Sequence, residues 1–287
     1  MNHDMLCRMK VAIQGQAGSF HYIPAVEFFG KDVDIIACKT FKEVFEALES
    51  GQAERAIVGL ENSLYGSINQ SYDLLTQYRP YMIGESYVHV RFSLFTNPQF
   101  ELKDVTSVFS QAPALAECRH YLAKHLPGVE QLEWNDTAAS AEHVANNPDQ
   151  PWGAICSYEA GQLHGLKEVA SGIEDNTHNY TRFAVLSKTD ISSKDADKTS
   201  IILKTSHQPG ALARALTVFA DAEINLSKLE SRPIPGPSWQ YIFYVDFEAA
   251  YDSKESISCL EQLRKQGNQV TILGSYKRGT LPNSATN

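Results

Sequence analysis

The sequence predicts an α/β protein in which two α/β lobes are followed by a smaller α+β module. Three observations predict this fold class. Short apolar segments alternate with helical segments from Val11 to Ser157, which favours mostly parallel sheets. The stretch 187–198 is polar and almost free of apolar residues, which is typical of a linker. Beyond it the pattern restarts in the order β-α-β-β-α-β, a ferredoxin-like arrangement.

The first lobe begins with an apolar strand, a glycine turn and a helix whose first turn accommodates Pro24. The next helix, Phe41 to Ser50, is amphipathic, because its apolar residues recur at helical spacing. In chain order the predicted elements are strand 11–13, turn 15–19, a helix ending near Gly30, strand 33–37, helix 41–50, strand 56–60, the polar segment 61–67 and a helix through about Tyr78.

The second lobe and the C-terminal module follow the same logic. In the second lobe, Asp136 or Thr137 is expected to cap a helix by accepting its free first-turn amides. The predicted elements there are strands 87–95 and 105–109, helix 113–126, helix 138–145 and strand 153–157. In the module they are strand 199–204, helix 209–222, strands 224–231 and 239–247, helix 253–265 and strand 270–276.

Polar clusters follow several of the predicted strands. Ligands of open α/β sheets collect at the carboxyl ends of strands, where loops meet helix N-termini. We therefore expect the clusters to converge on one cleft between the lobes. They are Gly15–Ser19, Glu61–Ser67, Ser110–Gln111 and Asn135–Thr137.

Composition excludes several classes of function. The formal net charge is −9 and the pI about 5.5, which argues against a general nucleic-acid or anionic-membrane surface. No apolar run is long enough for a transmembrane helix. The five cysteines are scattered without metal-ligand spacing, and the nine histidines show no metal motif. We expect a cytoplasmic protein without a metal.

The segment 176–183 carries the strongest chemical signal. It places the Thr181 hydroxyl, the Arg182 guanidinium and the Phe183 ring side by side at the start of an apolar strand. These groups suit a small anionic substrate that needs a proton donor and a carboxylate clamp. By contrast, the turn Gly15–Ser19 matches neither dinucleotide-binding nor phosphate-loop patterns, so a nucleotide is disfavoured.

These residues, taken in order, resemble the prephenate dehydratase family with a C-terminal ACT regulatory domain. The likeness runs from about Lys10 to Lys277, with a catalytic domain expected at 10–187 and an ACT domain at 199–277. The motifs that carry it are Gly15/Gly18/Ser19/Phe20, Glu61-Asn62-Ser63 with Gly66, Asn135-Asp136-Thr137-Ala138, Asn179 with Thr181-Arg182-Phe183, Gly210-Ala211-Leu212 and Glu230-Ser231-Arg232-Pro233.

The chain departs from the family pattern at two motifs. Gln16 and His21 replace the usual proline and hydroxyl residue of the glycine turn. Ser110-Gln111-Ala112-Pro113 stands where the family usually has Ser-His-x-Gln, so a titratable group is lost there.

The resemblance implies a lyase that converts prephenate to phenylpyruvate without a metal or organic cofactor. It assigns Thr181 as the acid for the leaving hydroxyl. The expected fold of the catalytic domain is two-lobed, like periplasmic binding proteins. The expected substrate-binding residues are Ser19, Asn62, Ser63, Ser110, Thr137, Arg182 and Phe183.

The ACT resemblance implies feedback inhibition by L-phenylalanine in phenylalanine biosynthesis. The helix amides at Gly210, Ala211 and Leu212 are expected to bind the amino acid's carboxylate. Asn225 and the turn Glu230, Ser231, Arg232, Pro233 are expected to close the site. The family likeness also implies homodimers or homotetramers.

Two alternatives remain open on the sequence alone. Arogenate dehydratase performs the same elimination on the amino-acid analogue of prephenate. A non-catalytic amino-acid sensor would combine a two-lobed binding fold with an ACT domain. Thr181-Arg182-Phe183 argues against the sensor, which has no need for a leaving-group acid.

Overall fold

A computed structural model describes residues 8–191, 193–234 and 240–282. Within these residues the strands form three sheets, and the predicted fold class, two α/β lobes and a ferredoxin-like module, is confirmed. The chain divides into two compact units, which are described separately below. The first comprises 8–71, 87–183 and 281–282, and the second 72–86 and the described part of 184–280.

The first sheet has the strand order β2-β1-β3-β11-β5, with the short β4 paired to β3. β1 is parallel to both β2 and β3, as the alternation of strands and helices predicts. In chain order its elements are β1 Lys10–Gln14, α1 Tyr22–Phe29, β2 Asp34–Cys38, α2 Phe41–Ser50, β3 Arg55–Asn62, β4 Gly66–Ser67, α3 Asn69–Tyr78, β5 Tyr81–His89 and, after the second sheet, β11 Tyr180–Ser187.

The second sheet has the order β10-β6-β9-β7-β8 and is mixed. β7 is parallel to β8 and β9, whereas β6 is antiparallel to β9 and β10. β6 and β10 are the strands by which the chain enters and leaves this sheet. The elements are β6 Ser93–Thr96, a 3-10 helix Leu102–Asp104, β7 Ser107–Ser110, α4 Ala112–Glu117, α5 Arg119–His125, β8 Glu130–Glu133, α6 Thr137–Ala145, β9 Trp152–Cys156, α7 Tyr158–Leu163 and β10 Lys167–Ser171.

The helix predicted at 113–126 is in fact two helices, α4 and α5. They meet at Cys118, whose backbone angles (φ −109°, ψ 10°) are not helical. Leu115, Cys118, Leu122 and Leu126 are nevertheless all buried in the core of this lobe. The apolar spacing therefore identified the buried face correctly but not the break in the backbone. The sequence analysis also did not predict β4, β8, α7 or β10, and its single strand 87–95 covers parts of both β5 and β6.

The module's sheet has the order β13-β14-β12-β15, with every neighbouring pair antiparallel. Two helices cover one face and share a core that includes Val218, Phe219 and Leu260. The elements are β12 Lys198–Lys204, α8 Ala211–Asp221, β13 Leu226–Pro233, β14 Tyr241–Phe247, α9 Lys254–Lys265 and β15 Gln269–Tyr276. The strand predicted from Trp239 thus begins at Tyr241, and Trp239 itself lies outside the described residues.

A buried ion pair lies inside the second compact unit. The Lys198 ammonium contacts both carboxylate oxygens of Glu85, at 3.0 and 2.9 Å, and both residues are almost fully buried. Buried charges are costly unless they are paired and hydrogen-bonded. The Gly279 N–H also donates to Glu85, which adds a further hydrogen bond to the pair.

None of the helices found in 8–191, 193–234 and 240–282 is long and apolar enough to cross a membrane.

Candidate active site

The C-terminal end of β3 is joined by hydrogen bonds to the chain that enters β11. The Ser63 N–H donates to the Tyr180 carbonyl at 2.8 Å, and the Tyr180 N–H donates back to the Ser63 hydroxyl at 2.9 Å. The same hydroxyl donates to the His178 carbonyl at 2.8 Å. Ser63 therefore fixes the backbone of the segment that carries Thr181, and its hydroxyl is committed to this backbone.

Asn62 connects this backbone to Thr181 through its side-chain amide. Its Nδ2 donates to Thr181 Oγ1 at 3.0 Å and to Asn179 Oδ1 at 2.6 Å. Its Oδ1 accepts from the N–H groups of Leu64 and Tyr65, at 2.9 and 3.1 Å. Because two backbone donors face Oδ1, the amide orientation is determined by the network. Thr181 Oγ1 is an acceptor here, so its own proton is available to another group.

Glu117 ends this network, and sequence reasoning missed it. The Asn179 Nδ2 donates to Glu117 Oε2 at 2.7 Å, and Tyr65 also hydrogen-bonds to the carboxylate. Burial raises the pKa of Glu117, hydrogen bonds from Tyr65 and Asn179 oppose the rise, and the charges of Glu174 and Asp175 add to it. The available signal was an acidic residue next to the apolar Ala114–Ala116 stretch at the end of α4.

Phe183 lies two residues after Thr181 and packs against His21. The two rings are 5.0 Å apart and nearly perpendicular (81°), a favourable edge-to-face arrangement. The His21 Nε2 atom is buried and has no hydrogen-bond partner among the described residues. Burial lowers the pKa of His21 to about 4, so the ring is neutral at pH 7.

Arg182 is buried in β11, between Thr181 and Phe183 in sequence. Alternate side chains of a strand point to opposite faces, which places Arg182 on the face opposite Thr181 and Phe183. Its predicted role as a carboxylate clamp stays a prediction.

The glycine turn of the first lobe packs tightly against α7 of the second lobe. Gly18 has φ +87°, and a Cβ atom added there would lie 2.7 Å from Ala160 Cα. The Ser157 hydroxyl donates to the Gly18 carbonyl. The neighbouring Ser19 hydroxyl is buried and has no hydrogen-bond partner among the described residues. At position 18, the positive φ and the lack of room for a Cβ atom beside Ala160 both require glycine.

A cavity of about 570 Å³ lies between the glycine turn and the Asn-Asp-Thr element. Gly15 and Gln16 line one side, and Asn135 and Asp136 the other. The Gln16 amide donates to a Glu142 carboxylate oxygen at 3.1 Å, which joins the two lobes at this cavity. Two of the four predicted polar clusters thus line one cavity.

The predicted residues Ser110 and Thr137 occupy the second lobe. The Ser110 hydroxyl is fully buried and donates to the Ile155 carbonyl at 2.7 Å, so it supports β9 in this structure. Thr137 is the first residue of α6 and is largely buried. The cap of that helix is Asp136, which accepts from the Ala139 N–H at 2.7 Å. Neither Ser110 nor Thr137 bonds to the network around Thr181 among the described contacts.

In the C-terminal module a cavity of about 590 Å³ adjoins the start of α8. Ala211 and Leu212 line it, together with Tyr241, which is paired with Pro233 on the neighbouring strand. Gly210 caps α8 in a left-handed conformation with φ +75°. Of the two predicted motifs of the module, Gly210-Ala211-Leu212 therefore contributes Ala211 and Leu212 to this cavity, whereas no residue of the described stretch Glu230–Pro233 lines it.

The remaining predicted residues of the module have other contacts. The Asn225 amide donates to Glu248 at 3.0 Å. Arg232 forms a bidentate ion pair with Asp73, with nitrogen–oxygen distances of 2.8 to 3.1 Å. Glu230 Oε2 lies 3.5 Å from Lys228 Nζ. Ser231 lies in β13, next to Arg232 in sequence. The ion pair engages Arg232 within its own unit, so a role in ligand binding stays a prediction.

No group of His, Cys, Asp and Glu side chains within the described ranges is arranged to hold a metal ion.

Comparison with known proteins identifies two domain families. A family model described as prephenate dehydratase matches residues 11–191, and one described as ACT domain matches residues 199–265.

Two curated relatives match almost the whole chain. A bifunctional chorismate mutase/prephenate dehydratase from Aquifex aeolicus is 34% identical, over 96% of this chain and 75% of its own length. Arogenate dehydratase 2 from Petunia hybrida is 33% identical, over 94% of this chain and 72% of its own length.

Two solved structures share the whole architecture. Prephenate dehydratase from Arthrobacter aurescens in complex with L-Phe has a TM-score of 0.83 and 30% identity, and covers 94% of this chain and 90% of its own. GqqA, described as a novel type of quorum-quenching acylase, has a TM-score of 0.84 and 27% identity, with coverages of 94% and 98%. Because one fold serves differently named activities, the reaction has to be inferred from the site.

Proposed function

The chain belongs to the prephenate dehydratase family, and we propose that it converts prephenate to phenylpyruvate, carbon dioxide and water. The bond between the ring and its carboxylate breaks, and its electron pair enters the ring. The ring's C–O bond breaks at the opposite carbon, and the departing hydroxide takes up one proton to leave as water. Aromatisation drives the elimination, so the protein has to position the substrate and protonate the leaving group.

The hydrogen bond from Asn62 to Thr181 is the observation that carries this proposal. A threonine hydroxyl is a very weak acid. A donor directed at its oxygen stabilises the negative charge that develops there as the proton is transferred. Because Oγ1 accepts from Asn62, its proton can be given to the leaving hydroxyl. Thr181 is therefore the proposed general acid.

The proposed catalytic domain spans 10–187, and Ser19, Asn62, Ser63, Ser110, Thr137, Arg182 and Phe183 are its proposed substrate-binding residues. Support is strongest for Ser19, whose buried hydroxyl has no hydrogen-bond partner within the described part of the chain, and for Asn62, which contacts Thr181. Ser63 and Ser110 bond to backbone carbonyls, so their proposed contribution is to shape the site.

L-Phenylalanine is the proposed feedback inhibitor, bound by an ACT domain spanning 199–277. The Arthrobacter relative was solved in complex with L-Phe, and the cavity at Ala211 and Leu212 in this chain has the size of a small-ligand site. The α8 amides offer donors to a carboxylate, and Tyr241 and Phe243 supply rings to the lining of the same cavity. Inhibition requires tighter binding to a less active state.

The assembly and location follow from the same proposal. We propose a homodimer or homotetramer in the cytoplasm, acting without a metal or organic cofactor, since the leaving hydroxide itself accepts the electron pair. The formal net charge of −9 favours a small-molecule substrate over nucleic acid.

Arogenate is the alternative substrate, and the Petunia relative named arogenate dehydratase supports testing it. The elimination is the same, and only the side chain's keto or amino group differs. The sensor alternative would bind L-phenylalanine without turnover.

The deciding experiment measures phenylpyruvate from prephenate and phenylalanine from arogenate, each with and without added L-phenylalanine. We expect turnover of prephenate that is suppressed by L-phenylalanine. Turnover of arogenate alone would establish the alternative substrate. Binding of L-phenylalanine with no turnover of either substrate would leave the sensor.

A further inference from the structure

Tyr65 lies beside the candidate acid, in the turn that joins β3 to β4. Its backbone N–H donates to Asn62 Oδ1 at 3.1 Å, so the turn that positions Tyr65 also orients the Asn62 amide. The residue is 66% exposed and takes little part in the core. Its hydroxyl nevertheless reaches Glu117, which also accepts from the Asn179 amide at 2.7 Å.

We propose, on the premise of the proposed dehydratase function, that Tyr65 is a positioning residue for Thr181. Its hydroxyl donates to the Glu117 carboxylate, and that carboxylate holds the Asn179 and Asn62 amides in the orientation that frees the Thr181 proton.

The direction of each hydrogen bond follows from the carboxylate. An ionised carboxylate only accepts, so Asn179 must turn its Nδ2 towards Glu117 and its Oδ1 towards Asn62. Asn62 must then offer Nδ2 to Asn179, and the same Nδ2 reaches Thr181 at 3.0 Å. Protonation of Glu117 would turn one of its carboxylate oxygens from an acceptor into a donor. The carboxyl group would then no longer hold the Asn179 and Asn62 amides in this orientation. The ionised form of Glu117 is therefore the productive one.

The surroundings of Glu117 make its ionisation sensitive to Tyr65. Burial raises its pKa, and so do the charges of Glu174 and Asp175. Those two carboxylates have basic neighbours in turn. Arg91 Nε lies 3.4 Å from Glu174 Oε1, and Arg119 Nε lies 3.8 Å from Asp175 Oδ2. The His120 ring nitrogen Nδ1 lies 2.7 Å from the same Asp175 oxygen. The Tyr65 and Asn179 hydrogen bonds act in the opposite direction and lower the pKa. Loss of the Tyr65 hydroxyl should therefore raise the pKa of Glu117 further.

The first test compares Tyr65→Phe with Tyr158→Phe. Tyr158 is also exposed and lies in the same unit, in α7, where its ring packs on Phe95. We expect Tyr65→Phe to lower kcat about three- to tenfold with little change in KM. We also expect the acidic limb of its kcat–pH profile to move to higher pH. We expect the control to leave kcat, KM and the pH profile unchanged. A Tyr65→Phe variant with a wild-type profile would overturn the proposal.

The second test repeats Tyr65→Phe in a Glu117→Gln background. The amide oxygen of Gln can still accept from Asn179, but it does not titrate. If Tyr65 acts through Glu117, loss of the Tyr65 hydroxyl in this background should no longer move the acidic limb of the kcat–pH profile. The effects of the two substitutions on kcat should then be non-additive. An equal shift in both backgrounds would show that Tyr65 acts by another route.

A third measurement separates this inference from the proposed function. Carboxyl ¹³C NMR of Glu-labelled protein, with the Glu117 resonance assigned by its loss in Glu117→Gln, gives the pKa without substrate. We expect a higher pKa in Tyr65→Phe, and an unchanged pKa would overturn the inference. Absence of turnover by the wild-type protein would instead count against the proposed function.

Discussion

The side-chain amide of Asn62 donates a 3.0 Å hydrogen bond to the hydroxyl oxygen of Thr181, from the last residue of β3 to the second residue of β11. The two residues are 119 positions apart in the chain. This contact connects the Glu-Asn-Ser motif to the Thr-Arg-Phe motif.

Replacing Thr181 with Ala should lower kcat about a hundredfold or more, the scale of general acid catalysis. Thr181→Ser retains the hydroxyl and should keep much of the activity. Steady-state kinetics with the preferred substrate test this, and near-normal turnover by the alanine variant would exclude Thr181 as the acid.

Changing Asn62 to Asp should lower kcat at least tenfold while preserving shape. An oxygen would then replace Nδ2 and face two acceptors, Thr181 Oγ1 and Asn179 Oδ1, at the present distances of 3.0 and 2.6 Å. The loss of a donor beside a partly buried acceptor costs about 1–3 kcal/mol. If kcat stayed at the wild-type value, the donor role of Asn62 would be wrong.

Substitution of Gly18 by Ala should destabilise the protein by about 2–5 kcal/mol, because the left-handed backbone and the contact with Ala160 both oppose a Cβ. Gly128→Ala is the matched control: its φ is +83°, but no atom lies within 4 Å of the added Cβ. The control should cost only about 1–2 kcal/mol. Urea unfolding measures both, and equal losses would mean that the contact is not restrictive.

Stability should fall in acid because of His21. Its pKa is about 4 in the folded protein, below the ordinary value of 6.5, so the unfolded chain binds more protons between those values. The contribution is fully present above pH 6.5, is lost as the pH falls towards 4, and amounts to at most about 3 kcal/mol. His21→Phe removes the titrating group and should flatten the stability curve in this window. An unchanged slope would show that His21 is not its source.

Feedback inhibition should weaken when Gly210 is replaced by Leu. A Cβ at this position would lie 2.9 Å from Arg214 Nη1 and would crowd the first amides of α8. We expect at least a tenfold rise in the L-phenylalanine concentration for half inhibition, or about 1.4 kcal/mol of lost affinity. Gly51→Leu is the control, with a similar φ of +79° but open space. Inhibition undiminished in the first variant would place the inhibitor elsewhere.

Much of the fold was predictable because it depends on local sequence. The amphipathic spacing of 41–50 corresponds to α2, and Asp136 caps α6 as expected. The break at Cys118 was not predictable, since the apolar residues on both sides keep one helical spacing while the backbone changes direction.

The candidate site was predicted in part. Thr181, Asn62 and Ser63 come together as the motifs indicate. Glu117 was missed because one acidic residue at a helix end carries no pattern of its own, and its significance depends on Asn179 and Tyr65. The commitment of Ser110 to Ile155 likewise depends on a neighbouring strand 45 positions away.

The sequence by itself determined the α/β class and the order of the motifs, from which we predicted the linker and the residues proposed to carry the chemistry. Apolar periodicity, helix caps and motif order are properties of neighbouring residues, so they can be read along the chain. Only the tertiary structure decided which way the Asn62 amide points, which carboxylate holds Asn179 and whether the Thr181 proton is free. Hydrogen-bond direction depends on donors and acceptors brought together from distant segments, and the folded backbone sets their distances.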